Sequence, residues 1–137
     1  MAASQPDEFR ISLTNPGGAG FNLEWKRPDL EYRAYNEHYD PIRMERLQPP
    51  AEAWDKLWAT LDEIEAWVWQ PRYLNPGEAE GMTWQISVRV GGKTLHSYGD
   101  NAFPEVEPAP QGFTLPSLSF AKFLAAIRTL IGGLPFE

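Results

Sequence analysis

The chain has 137 residues, a formal net charge of −7, 42% hydrophobic and 23% charged residues, and no cysteine. That length suits a single domain with a core of its own. The acidic balance argues against general binding of phosphate backbones, and the lack of cysteine excludes disulfides, thiol catalysis and Cys-ligated zinc or iron.

Residues Met1 to Glu8 hold no apolar stretch of the kind a secretory leader needs, and no run approaches a membrane span. The expectation is a soluble, cytoplasmic protein of one domain over residues 1–137, with residues 1–8 as a flexible N-terminus. Neither nucleic acid nor membrane is expected as a partner.

Phe9 to Thr14 alternates with Phe9, Ile11 and Leu13 on one face, as a half-buried strand does. Asn15-Pro16-Gly17-Gly18-Ala19-Gly20 is a turn cluster. Phe21 to Lys26 and Leu30 to Tyr35 alternate again, joined by Arg27-Pro28-Asp29 with Pro28 set for the first corner of a tight turn. Asn36 to Asp40 is a polar loop, and Ile42 to Leu47 reads as a short edge strand of poor alternation. Trp54, Leu57, Trp58, Leu61, Ile64 and Val68 recur at helical spacing and predict an amphipathic helix from about Pro50 to Glu65. Trp67-Val68-Trp69 is either a last helical turn or an extended exit. Gln70 to Gly81 is a loop.

The clearest pattern runs from Thr83 to Tyr98. Strict alternation from Trp84 to Val90 meets Gly91-Gly92, whose freedom at positive φ suits a two-residue primed turn. That register sets Val90 opposite Lys93, Val88 opposite Leu95 and Ile86 opposite Ser97. Trp84, Ile86, Val88 and Leu95 then share a dry face, while Gln85, Ser87, Arg89, Thr94, His96 and Tyr98 share a wet one. Ala102 to Pro116 is a long proline-containing segment, unsuited to a central strand. Ser117 or Ser119 can cap a second helix, with Phe120, Phe123, Leu124, Ile127, Leu130 and Ile131 buried and Gly132-Gly133 as its stop.

A sheet with one dry face needs a helix layer on that face. The predicted class is α+β: a two-layer sandwich, an antiparallel sheet of about five strands with two helices on one face. Residues 21–64 and 83–131 share one plan of hairpin, proline-containing loop and helix, a ββ(β)α-ββα pseudo-repeat.

Candidates for chemistry are few. His38 with Glu37 and Asp40 lies in a polar loop, and adjacent residues converge poorly on a metal. Ser87, His96 and Asp100 suggest a triad, yet a serine on a flat strand has no oxyanion donors beside it. The glycine turn at 15–20 leads into a strand instead of the helix that a phosphate cradle requires. No catalytic residue, metal ligand or cofactor is therefore assigned. Four large aromatics, Trp69, Tyr73, Phe103 and Phe113, fall on no periodic face. They are either lids over the core or a partner-binding rim.

The segment Ile11 to Gly20, a strand running into a glycine turn, resembles the opening of emfourin-type inhibitors of thermolysin-like proteases. The stretch from Trp84 to Gly99-Asp100-Asn101-Ala102-Phe103-Pro104 resembles an uncharacterised bacterial protein family. The first resemblance implies an inhibitor-like role and transfers no site residue. The expected function is a non-enzymatic protein-binding module, inhibitor-like or immunity-like. The alternative is a small-molecule-binding domain or small hydrolase, with a pocket between the sheet and residues 102–116.

Overall fold

The computed structural model describes residues 5–75, 81–107, 112 and 114–137. Four strands, β1 (Glu8–Thr14), β2 (Gly20–Lys26), β3 (Asp29–Tyr35) and β4 (Pro41–Leu47), lead into helix α1 (Ala51–Glu63). A 3-10 turn at Ala66–Val68 is followed by β5 (Arg72–Leu74), β6 (Thr83–Val90), β7 (Lys93–Asp100) and helix α2 (Leu118–Leu130). The result is a mixed α+β fold whose single sheet runs β4-β3-β2-β1-β6-β7-β5.

Among the described residues the sheet holds seven strands, not about five. β4 is the edge strand at 42–47, extended by Pro41. β5 falls in the stretch read as loop; its three residues pair parallel to β7, so the sheet is mixed instead of wholly antiparallel. Three residues are too few to show alternation, and a partner 26 positions away leaves no local signal. The two units of the expected repeat also differ: three strands precede α1, two precede α2, and the connector between the units supplies β5. β1 lies between them and pairs with both β2 and β6.

The central hairpin has the expected register, with Val90 opposite Lys93, Val88 opposite Leu95 and Ile86 opposite Ser97. Gly91 and Gly92 take φ of 54° and 83°, where a side chain would be strained. At the β2–β3 turn Lys26 pairs with Asp29, which makes Arg27 and Pro28 the two corner residues. Pro28 therefore takes the second corner and not the first, and the peptide between the two is cis. At the N-terminus Pro6 is buried, and Asp7 N donates to Arg89 O at 2.8 Å.

One core joins sheet and helices. Phe9, Ile11 and Leu13 of β1, Leu23 of β2, Leu30 and Tyr32 of β3 and Trp84, Ile86 and Val88 of β6 are buried in one cluster with Trp54, Leu57 and Leu61 of α1 and Phe120, Phe123 and Ile127 of α2. Ser117 caps α2, accepting from Phe120 N at 3.2 Å, and Gly132 and Gly133 close it at φ of 73° and 91°. α1 ends because Glu65 turns into the left-handed region at φ 55°. That change of direction throws Val68 off the apolar stripe, and it is 78% exposed. The C-terminal tail also belongs to the core: Phe136 is fully buried against Phe21, and Tyr32 Oη donates to Pro135 O at 2.6 Å.

Candidate functional site

The loop aromatics pack onto the core. Phe103 is 1% exposed, stacks on Trp84 with ring centroids 6.4 Å apart and packs tilted against Phe120 at 4.9 Å. Trp69, half-buried, stacks on Phe120 and meets Trp84 and Phe123 edge-on. Tyr73 lies against Trp84, and its hydroxyl accepts from Gln70 N at 2.8 Å. Phe113 lies outside the described residues. A pocket lined by Trp69, Phe103, Tyr98 and His96 does not form. The first two belong to the core side of the sheet, while Tyr98 and His96 stand in register with Gln85 and Ser87 on the other face.

The run Gly99-Asp100-Asn101-Ala102-Phe103-Pro104 is mostly explained by packing. Gly99 faces Trp84 across the sheet, and a Cβ there would run into the indole. The indole Nε1 donates to Ala102 O at 2.9 Å. Asn101, buried with φ 49°, ties three segments together. Its backbone N donates to Met82 O at 2.9 Å, its Oδ1 accepts from Thr114 N at 2.7 Å and its Nδ2 donates to Gly112 O at 3.0 Å. Gly81 is small because the Asn101 side chain occupies the space its Cβ would need. Asn101 was not singled out from sequence, though an Asn closing a strand is a known tolerator of the left-handed region.

Asp100 is the exception in that run, because its side chain is exposed. It stands in one row with Thr83 and Thr14 across three strands. The three line a cleft of about 410 Å³ with Asn15, Pro16, Gly17, Gly18, Tyr39 and Gly81. Among the described residues, the cleft offers hydroxyls, an amide, backbone groups and one carboxylate, and no cation.

His96 Nδ1 and Ser87 Oγ are 3.2 Å apart. Asp100 lies four residues further along β7, about 13 Å away at strand rise, so the three do not assemble as a triad. His38 is exposed, 3.9 Å from Glu37. Among the described residues no three His, Asp or Glu side chains are grouped as a metal site.

The larger feature is the face of the sheet opposite the helices. Its rows follow from the register: Arg46-Glu31-Glu24-Arg10-Ser87-His96, then Met44-Arg33-Asn22-Ser12-Gln85-Tyr98-Arg72. None of these side chains is buried. The charges on it are balanced, although the chain is acidic. Arg10, Lys26, Arg33, Arg46, Arg72 and Arg89 are six of the twelve basic residues, and Glu8, Glu24, Asp29, Glu31 and Asp100 are five of the nineteen acidic ones. The acidic surplus therefore lies elsewhere, including the exposed Glu52, Asp55, Glu63 and Glu65 at α1. On the β1–β4 half, Glu31 sits 3.3 Å from Lys26, 3.4 Å from Arg33 and 3.9 Å from Arg46, and Glu24 sits 3.3 Å from Arg10. Four cations thus share two carboxylates. Arg33 Nε is buried without a hydrogen-bond partner among the described residues.

Away from this face, Lys93 at the β6–β7 turn donates to Asp62 of α1 at 2.9 Å, and Trp67 Nε1 donates to the same oxygen at 2.7 Å. The Lys93 hydrogen bond first, and the Trp67 one second, hold the Asp62 carboxyl below the usual carboxylate range.

No family model matches the chain, and no curated protein matches it. None of its helices is long and apolar enough to cross a membrane among the described residues.

Proposed function

We propose that this chain is a two-layer α+β sandwich that works as a non-enzymatic protein-binding module through the helix-free face of its sheet. One observation carries the reading: a broad face, rich in Arg and Tyr and balanced in charge, on an otherwise acidic chain. Six long strands at ordinary spacing span about 24 Å, and seven residues run about 23 Å. That flat area of about 550 Å² is about two-thirds of the roughly 800 Å² that one partner contributes to a standard interface. Arg, Tyr and Met are residues that interfaces favour, and this face presents Arg10, Arg33, Arg72, Arg89, Tyr35, Tyr98 and Met44. The surplus of cations around Glu31 and Glu24 suits a partner that brings carboxylates to the β1–β4 half.

This reading moves the partner surface away from Trp69, Tyr73 and Phe103, whose rings are engaged with the core. The resemblance of residues 11–20 to emfourin-type inhibitors supports an inhibitor-like or immunity-like role within the class. The test is capture of a partner by the immobilised protein, compared across variants with unchanged melting. Arg10→Glu with Arg33→Glu should lose what the parent captures, and Glu63→Ala on α1 should keep it. Equal capture by all three would place the partner on another surface.

A second reading rests on the cleft at Thr14, Thr83 and Asp100. Its hydroxyls and carboxylate suit a small polyol or ammonium compound. Asp100→Asn with saturation-transfer NMR against a sugar and amine panel decides it: binding by the parent and not the variant supports the cleft.

A further inference from the structure

β4 is a sheet edge whose proline and register shift both lie at one end. Edges are commonly blunted by proline, by a bulge or by inward-pointing charge. Here the proline is the first residue, Pro41, and the register shift lies at Ala34 and Tyr35 opposite that same end. Ile42 is the residue the shift leaves without a partner on β3, and Arg43 to Leu47 continue as a regular edge. Apolar side chains are exposed here, Ile42 at 66% and Met44 at 61%, and Tyr39 in the preceding turn is 69% exposed. Arg43 and Glu45 sit opposite Ala34 and Tyr32, so they share the helix side of the strand, 3.0 Å apart and opposite in sign.

We infer that β4 pairs antiparallel with β4 of a second copy of this chain, about a two-fold axis through Met44 perpendicular to the sheet. Charge selects this register. An axis through Arg43, Glu45 or Arg46 would set that residue against its own copy, and like charges directly opposite destabilise a strand pair. The axis through Met44 sets Arg43 opposite Glu45 of the second copy, and Glu45 opposite Arg43, so the attraction occurs twice. Met44 meets Met44 at the axis. Opposite charges one residue either side of the axis are self-complementary, which inward charges of one sign would not be. The contact is isologous and closes at two copies. It joins two seven-stranded sheets edge to edge, with both helix layers on one side and both uncovered faces on the other.

One short ladder is a small contact, so association is expected in the micromolar range and is read by sedimentation equilibrium over a hundred-fold concentration range. Arg43→Glu alone, or Glu45→Arg alone, should weaken the dimer roughly ten-fold or more, because two attractions become two repulsions. The double swap should restore it. Circular dichroism melts confirm that each variant folds. A second measurement does not depend on those charges. The chain has no cysteine, and facing residues of an antiparallel pair lie about 4.5–5.5 Å apart between Cα atoms, within disulfide reach. Met44→Cys should therefore form a linked dimer under mild oxidation well ahead of Val68→Cys, an exposed control distant from β4 in the chain. A monomer at every concentration, a double swap no better than the single reversals, or equal cross-linking at 44 and 68 would each overturn the inference.

Discussion

Gly99→Ala tests how the sheet is joined to α2 and to the segment after β7. Gly99 does not have a positive φ, so alanine meets no backbone penalty there. The cost is steric: the new Cβ would land within the radii of Trp84 Nε1 and Cε2. Trp84 is 2% exposed, lies 4.8 Å from Phe120 and 6.4 Å from Phe103 between ring centroids, and donates to Ala102 O. To make room it must tilt out of this packing and give up that hydrogen bond. Overpacking a core costs about 1–3 kcal/mol, and losing the hydrogen bond adds about 1 kcal/mol. The expected loss is thus about 2–4 kcal/mol. Urea denaturation followed by far-ultraviolet circular dichroism measures it, provided the m-value is unchanged. Gly91→Ala is the contrasting control, because φ there is 54° but nothing lies within 4 Å of the added Cβ. In a Trp84→Phe background, which lacks the indole nitrogen and fused-ring atoms, the Gly99→Ala cost should shrink by about 1 kcal/mol or more. A Gly99→Ala protein within about 0.5 kcal/mol of the parent, or an equal cost in both backgrounds, would refute the reasoning.

Phe103→Ala should cost about 3–5 kcal/mol by the same denaturation assay, the usual price for a buried aromatic; an unchanged midpoint would return Phe103 to the surface. Tyr32→Phe removes the hydroxyl bond to Pro135 O and should cost about 1 kcal/mol at neutral pH. Burial pushes the Tyr32 hydroxyl above the ordinary tyrosine pKa, so above about pH 10 the unfolded chain ionises first and holds fewer protons. Stability then falls as pH rises, and the Tyr32→Phe melting curve should lack that part of the alkaline decline. For Asp62 the sign is reversed. Its lowered carboxyl contributes stability above the ordinary aspartate pKa and loses it as pH falls through the folded value. Because Asp62 is exposed, Asp62→Asn should cost less than about 1 kcal/mol at pH 7, and its melting temperature should converge with the parent's in acid.

What the sequence determined by itself was local. Alternation from Trp84 to Val90 with Gly91-Gly92 set the hairpin register, since a one-residue slip would turn Ile86 and Val88 out of the core. The apolar stripe from Phe120 to Ile131 and the Ser117 cap placed α2 for the same reason: period and capping act within a few residues. Pairings between distant segments had no such signature. The parallel joining of β5 to β7, the seating of Phe136 against Phe21 and the clamp of Asn101 on residues 82, 112 and 114 depend on which segments the fold brings together. The aromatic side chains show the division most plainly. Trp69, Tyr73 and Phe103 lack a periodic face, so sequence left them open to a lid or a rim, and only the placement of Trp84 over Gly99 gave them a common surface to pack on. The uncovered sheet face was half legible: the hairpin predicted wet positions at Gln85, Ser87, His96 and Tyr98. Its extent and charge balance emerged only from strand order, because Arg10, Lys26, Arg33 and Arg46 become neighbours across four strands rather than along one.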